Sequence, residues 1–338
     1  MQIRAGAVRV GCMRTQASIL ALAAFFCVTA AAQQGTLASS ASEILATPQL
    51  TILDTDIGDD IDDAFALALA LRSPELKLLG VTTTYGDTEL RARLVDRYLS
   101  AVGRTDIPIA AGVPTAHSNI FTQAAYASQH PKVTYADGVD FLLGLIRAHP
   151  GQITLIAIGP LSNVEAAIKR DPATFRKLKR VVMMGGSVYR GYDTKTDTHR
   201  PPDPEWNILC DPAGARALLA SGVPVFIMPL DSTQIHLGVP AQGAIFSHGS
   251  PLTDQLTLLY HQWTGASEWR TPTLFDPVAV SYAIRPELCP MKRMRVEVDD
   301  QGFTRPMEGE PDAQVCLQSD EKSFLEFLLD RVAGQTAR

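Results

Sequence analysis

The sequence predicts one α/β domain over residues 48–334, built around a mostly parallel sheet with helices on both faces. Three observations carry this expectation. Near-continuous apolar runs of strand length, QLTILDT (49–55), KLLGVTTTYG (77–86), QITLIAIG (152–159), VVMMGG (181–186) and VPVFIMPL (223–230), alternate with segments of helical period. Strands apolar on both faces belong to sheets covered on both sides. No linker-like stretch divides the alternation. Polar residues also gather where these strands end, at Asp54 and Asp56, Thr83-Thr84, Gly159-Pro160, Gly185-Gly186 and Asp231. Open, Rossmann-like sheets bind their ligands beyond those carboxyl ends.

The elements follow in order. The first strand leads into a helix, DDAFALALA (62–70), which Ser73-Pro74 ends. After the second strand comes the helix TELRARLVDRYLSAVG (88–103), closed by Gly103, and then a short strand, IPIAAG (107–112). Residues 113–135 show no clean period and read as a long loop or lid. GVDFLLGLIRAHP (138–150) is helical, as is NVEAAIKRDPATFRKL (163–178), with a break expected at Asp171-Pro172. Residues 187–206 are polar, Pro-rich and aperiodic. DPAGARALLASG (211–222) has the Pro-first, Gly-last signature of a helix. DQLTLLYHQW (254–263), DPVAVSYAI (276–284) and KSFLEFLLDRVA (322–333) are expected helices. MRVEVD (294–299) and AQVCLQ (313–318) are expected strands, giving a mixed or antiparallel C-terminal part.

The bulk numbers narrow the function. The chain has 338 residues and a net charge of −6, with no long basic run, which argues against a nucleic-acid partner. Arg4, Arg9 and Arg14 precede the apolar run ASILALAAFFCVTAAAQ, which ends in small residues. This pattern reads as a signal peptide over 1–32, followed by a flexible lead-in over 33–47. The run is short and alanine-rich for a membrane span, so no stable insertion is expected after cleavage. The protein is expected to be exported, either periplasmic or secreted. Cys210, Cys289 and Cys316 lie beyond the signal, and either one disulfide with a free thiol or three buried thiols fits them.

The most informative stretch is LDTDIGDDIDDAFALALA (53–70), with aspartates at 54, 56, 59, 60, 62 and 63. One or two carboxylates at a helix start are ordinary caps. Six in one strand-loop-helix turn repel one another unless protons or a cation join them. All-oxygen donors without a His or Cys cluster suit a hard divalent ion, Ca²⁺ or Mg²⁺. An EF-hand fails at its diagnostic places, with Asp59 where Gly is needed and Phe65 where Glu is needed. The Asp54-Thr55-Asp56 triplet also fits a haloacid-dehalogenase-like phosphatase, but the later lysine and paired acidic motif of that family are not clear. No Gly-rich nucleotide loop occupies this turn.

Read together, these motifs resemble the inosine/uridine-preferring nucleoside hydrolase family. DTDIG…DDAFAL is similar to its D-x-D-P-G-x-D-D-A motif. GVTTTYGD, ITLIAIGPLSNVEAA, VVMMGG, EWNILCDPAGA and LFDPVAV resemble its later landmarks, in order, across residues 49 to 284. The resemblance implies hydrolysis of the N-glycosidic bond of ribonucleosides to ribose and free base by a calcium-activated water, in purine or pyrimidine salvage. It implies Ca²⁺ held by Asp56, Asp63, the Ile158 carbonyl and Asp276, with Asp56 also as general base. It further implies substrate contacts from Asp62, Asp87, Glu205 and Asn207, and a homodimer or homotetramer.

Three departures bear on these assignments. Asp87 replaces the family's amide, and Phe275 stands where a histidine often precedes the late aspartate. The aspartate loop is two residues longer, so alignment on Ala64 selects Asp62 and Asp63, whereas alignment on Asp56 selects Asp60 and Ile61. With no histidine before Asp276, the leaving base is activated either by a proton donor from elsewhere or, if none exists, by base stacking, water or strong sugar binding. His117, His199 and Tyr192 are the loop residues within reach, although each reads first as an ordinary surface residue. Hydrolysis of another N-ribosyl compound, or an exported nucleoside- or sugar-binding protein with weak catalysis, remains the alternative.

Overall fold

The computed structural model describes residues 47–116, 121–194, 196–198 and 200–334. The expected signal and all of the lead-in except Thr47 lie outside the described residues, as do His117 and His199. Seven strands form the parallel part of the sheet: β1 (Gln49–Thr55), β2 (Leu76–Thr83), β3 (Ile109–Ala111), β4 (Ala136–Asp137), β5 (Thr154–Ala157), β6 (Arg180–Met184) and β7 (Val225–Met228). The C-terminal strands are β8 (Met291–Val298), β9 (Thr304–Met307) and β10 (Ala313–Cys316). The spatial order is β4-β3-β2-β1-β5-β6-β7-β10-β8-β9. β10 joins β7 in parallel, and β8 and β9 then add antiparallel. The result is the Rossmann-like α/β sheet with a mixed C-terminal region that the sequence predicts.

The chain winds outward from β1 through β2, β3 and β4, then returns to place β5 on the other side of β1. That reversal opens a crevice beyond the ends of β1 and β5, where ligands bind in sheets of this kind. Asp54 to Asp56 finish β1, and Ile158 follows β5. The order of strands therefore brings together residues a hundred positions apart.

Thirteen α-helices are present among the described residues, with one 3-10 turn at Pro286–Leu288. In chain order they are α1 (Asp62–Leu71), α2 (Thr88–Ala101), α3 (Ala124–Ser128), α4 (Gly138–Ala148), α5 (Ser162–Arg170), α6 (Pro172–Phe175) and α7 (Trp206–Cys210). They continue as α8 (Pro212–Leu219), α9 (Leu230–Thr233), α10 (Val239–Phe246), α11 (Pro251–Ala266), α12 (Phe275–Ile284) and α13 (Glu321–Ala333). The break between α5 and α6 falls at Asp171, whose side chain caps α6 by accepting from Thr174 N–H. The expected loop at 113–135 contains α3. α7, α9, α10, β4 and β9 were not visible as periodic segments, being short or lacking an amphipathic stripe.

Two hydrophobic cores cover the two faces of the sheet. One includes α1, α2, α11, α12 and α13; the other includes Leu142, Ile146, Val164, Ala167 and Leu218 from α4, α5 and α8. α1 is buried all round from Asp62 to Ala70, and α12 from Asp276 to Ala283. A helix apolar on every side belongs inside the protein. The two helices pack against each other. Phe65, Leu67, Leu69 and Val278 each contribute about 1.5–3 kcal/mol by burial, enough together to offset a costly polar end. Each helix carries its carboxylates in its first turn, Asp62 and Asp63 on one and Asp276 on the other. The N-terminal ends of both dipoles favour that placement.

Cys289 and Cys316 form a disulfide with Cα atoms 5.6 Å apart, and Cys210 is free. The pairing selects the first of the two cysteine readings. Closing a loop of this length contributes about 3–4 kcal/mol through the unfolded state. No helix among the described residues is long and apolar enough to cross a membrane.

Candidate active site

A cavity of about 140 Å³ lies at the crevice beyond β1 and β5, lined by Asp56, Asp59, Asp60, Asp62, Asp63, Ile158, Met184, Tyr192, Glu205, Trp206, Asn207, Phe275 and Asp276. Ligand atoms of Asp62, Asp63 and Asp276 all fall within 4.8 Å of one another, and all three residues are buried. The chain thus brings together Asp56, Asp62, Asp63, Ile158, Glu205, Asn207 and Asp276. It does not bring in Asp87, which is exposed and caps α2 by accepting from Leu90 N–H at 3.0 Å. A carboxylate at that place has a nearby helix end to satisfy, so its negative charge stays outside the cavity.

Both residues of the Asp62-Asp63 pair face the cluster, whereas Ile61 is fully buried in the core. The register set by Ala64 is therefore the one the fold adopts. Thr55 donates its hydroxyl to Asp63, and the Asp276 N–H donates to Asp62 at 3.2 Å. Asp54 stands behind the cavity. It accepts from Thr82 and, at 2.7 Å, from Asn163, which ties β1 to β2 and to the first turn of α5. Gly159 has to be glycine, because a Cβ would lie 2.8 Å from Asp56 Oδ1.

The two surplus aspartates of the long loop have separate fates. Asp59 pairs with Arg91 at 3.0 Å, and that arginine is 0% exposed. The same guanidinium donates to the carbonyls of Asp56, Ile57 and Tyr85. It also stacks on Phe121, whose ring lies over Gly58. Arg91 thereby absorbs one extra charge and pins the backbone on both sides of Asp56. Removing one partner of a buried, hydrogen-bonded pair costs about 3–5 kcal/mol. Asp60 instead stays at the rim of the cavity and accepts from Ile61 N–H. Arg91 was not singled out in the sequence. Its signal was a lone arginine on the stripe of Leu94, Val95 and Tyr98, a helix face otherwise apolar.

Glu205 is the N-cap of α7, accepting from Asn207 and Ile208 N–H and from Gly186 N–H. Trp206 and Asn207 start this helix, so the aperiodic stretch expected over 187–206 ends in a helical turn. All three side chains consequently reach the same cavity. Asn207 Nδ2 bonds the carbonyls of Ile158 and Met184, each at 3.2 Å. Tyr192, expected as an ordinary surface residue, lines the cavity and packs edge-on to Phe275.

Burial raises the carboxyl pKa values throughout. Asp54 rises to about 6, Asp56 to about 7 and Glu205 to about 7, in each case mainly by desolvation. Asp62, Asp63 and Asp276 rise well above the ordinary carboxylate range through desolvation and then repulsion from the neighbouring aspartates, Asp56 and Asp60 included. Arg91 is the principal counter-charge and already serves Asp59. So many buried oxygen donors, short of compensating charge, fit a hard divalent cation.

A second cavity of about 590 Å³ adjoins the first and shares Asp60, Tyr192 and Phe275 with it. Trp263, Trp269, Gln234 and His236 are among its other walls, with His236 Nδ1 3.1 Å from Thr273 Oγ1.

Comparison with known proteins agrees with this geometry. A family model described as inosine-uridine preferring nucleoside hydrolase matches residues 51–326. A protein named pyrimidine-specific ribonucleoside hydrolase RihA from Enterobacter sp. (strain 638) is 30% identical, over 85% of this chain and 98% of its own length. Its namesake from Citrobacter koseri is 30% identical over 83% of this chain and 97% of its own length. Among solved structures, a plant nucleoside hydrolase (PpNRh1) superposes with a TM-score of 0.74 at 25% identity, covering 86% of this chain and 100% of that one. A purine-preferring ribonucleoside hydrolase from Gardnerella vaginalis shares the fold, with a TM-score of 0.72 at 24% identity, covering 85% of this chain and 98% of its own. The buried aspartates 62, 63 and 276 match the Ca²⁺ site typical of nucleoside hydrolases. The chain belongs to the inosine-uridine preferring nucleoside hydrolase family, as a metal-dependent enzyme that hydrolyses the N-glycosidic bond of nucleosides.

Proposed function

We propose that this chain cleaves ribonucleosides to ribose and free base, with Asp56 as the general base. The observation that carries the reading is the convergence of Asp56, Asp62, Asp63 and Asp276 with Glu205 and Asn207 in one cavity. Asp56, Asp63, Asp276 and the Ile158 carbonyl are the residues that would hold Ca²⁺, and Asp62 stands in one cluster with Asp63 and Asp276. When bound there, Ca²⁺ supplies positive charge that grips sugar oxygens and acidifies a water molecule.

The protein's own groups account for the remaining work. Asp56 takes the proton from the attacking water. Asp62, Glu205 and Asn207 engage the ribose hydroxyls and fix the anomeric carbon above Asp56. The carboxylates beneath the ring favour the oxocarbenium character of the transition state. Met184, Trp206 and Phe275 supply the apolar walls that limit stray water.

The small cavity suits a sugar, which puts the base in the larger one. The relatives named for pyrimidine nucleosides support uridine and cytidine as substrates. The larger cavity is several times the volume of the first, and its aromatic walls also favour a second reading, an N-ribosyl compound with a bulkier base. Release of reducing sugar from uridine, cytidine, inosine and adenosine, and from an adenosine with a benzyl group on N6, tests both. Turnover of the four simple nucleosides supports the first reading, and preference for the benzylated one supports the second. No sugar release from any of them, with Ca²⁺ present, removes the function.

Export is proposed as well. The Arg4, Arg9 and Arg14 region with its apolar run supports it, and the Cys289–Cys316 bond suits an oxidising compartment. Sequencing the amino terminus of the protein expressed in its host should find a start near residue 33. An intact terminus in the cytosol would count against export.

A further inference from the structure

We propose that Tyr192 donates the proton to the departing base. This assignment rests on the nucleoside-hydrolysis reading and supplies the role left open by Phe275. The glycosidic nitrogen has to lie where the sugar cavity meets the base cavity. Three described residues line both cavities: Asp60, Tyr192 and Phe275. Phe275 has no proton to give. Asp60 lies at the rim and accepts its neighbour's N–H at 2.6 Å, a bond that favours the carboxylate over the acid. Tyr192 carries the one hydroxyl among the three.

The hydroxyl is also oriented. Trp206 N–H donates to Tyr192 Oη at 2.9 Å, which occupies a lone pair and leaves the O–H to point elsewhere. Among the described residues nothing accepts that proton. The ring stands edge-on to Phe275, with centroids 6.2 Å apart at 80°. Its backbone is held on both sides. Tyr192 N–H donates to Asp203 at 3.0 Å, Arg200 donates to its carbonyl at 3.3 Å, and Gln234 donates to the Gly191 carbonyl at 3.0 Å. A proton donor held this firmly loses little freedom in the transition state.

The bond from the anomeric carbon to the base nitrogen breaks, and its electron pair goes to the base. The Tyr192 proton passes to that base. Water oxygen bonds to the anomeric carbon, and its proton passes to Asp56. Burial beside Glu205 and Asp62 holds the Tyr192 hydroxyl well above the usual phenol range, so the tyrosinate, facing the Trp206 N–H, is short-lived and regains a proton from solvent, and Asp56 releases its own to solvent. One water is consumed and nothing else.

The test compares Tyr192→Phe with the wild type on uridine and on 4-nitrophenyl β-ribofuranoside, whose leaving group needs no proton. The expected result is a fall in kcat/KM on uridine of about 100-fold or more, with the nitrophenyl riboside nearly unaffected. Tyr192→His, which restores a donor, should recover part of the uridine activity. Equal losses on both substrates would make Tyr192 a packing residue, and no loss on either would make it dispensable; either result overturns the assignment. Across phenyl ribosides of rising leaving-group pKa, the wild-type rate should fall shallowly, and a steep fall would also overturn it, whatever the stability of the variants. A wild type that turns over neither substrate would instead sink the hydrolase reading, and this assignment with it.

Discussion

Asp56→Asn is expected to lower kcat by about 10²–10⁴-fold while leaving the fold intact. The amide keeps the shape of the carboxylate, so the close approach of Gly159 and the Arg91 bonds to the neighbouring backbone survive. It cannot accept the water's proton. It also removes one charge from a site where burial already pushes the Asp56 carboxyl up to about 7. The thermal midpoint of the ion-free variant should therefore equal or exceed that of the wild type. Sugar release measured beside a melting curve separates these effects. A variant with more than about a tenth of wild-type kcat would rule out Asp56 as the base.

The second large effect concerns the ion. Asp276→Asn should weaken Ca²⁺ affinity by at least about 100-fold, because losing a ligand exceeds the usual penalty for disturbing a ligand's neighbour. Calorimetric titration of chelator-treated protein measures it, and unchanged affinity would place the ion elsewhere. Stability should follow the same site. Asp54 and Glu205 have folded-state pKa values of about 6 and 7, above their ordinary values. In ion-free protein the native state therefore binds more protons than the unfolded chain between about pH 4 and 7. Stability must fall as pH rises through that window. Added Ca²⁺ favours the ionised carboxylates, so its stabilisation should grow with pH. Melting curves at pH 5 and pH 8, with chelator and with Ca²⁺, give the comparison. A chelated protein that is more stable at pH 8 than at pH 5 contradicts this account.

Elements with strong local signals were legible before folding. β1, β2, β5, β6 and β7 each announce themselves as apolar runs, and α1, α2, α11 and α13 by length and composition. The short α7 and β9 did not. Five residues are too few to show a helical period, and Pro306 hides a strand that survives because it lies at the sheet's outer edge. The consequence reached the site. With no period visible up to Trp206, the sequence does not show that a helical turn aims Glu205, Trp206 and Asn207 at one cavity.

The sequence by itself determined that a dense set of oxygen donors follows the first strand, and that ordered motifs along the chain belong to a nucleoside hydrolase. Those signals are local, carried by residues a few positions apart in the chain. Which aspartates work together was a tertiary decision. The packing of α1 against α12 brings Asp276 to Asp62 and Asp63, and the buried Arg91 pairs with Asp59. The same folding kept Asp87 on the surface and turned Tyr192 inward. Each outcome depends on contacts between segments far apart in the chain, and residue type and spacing do not encode such distances.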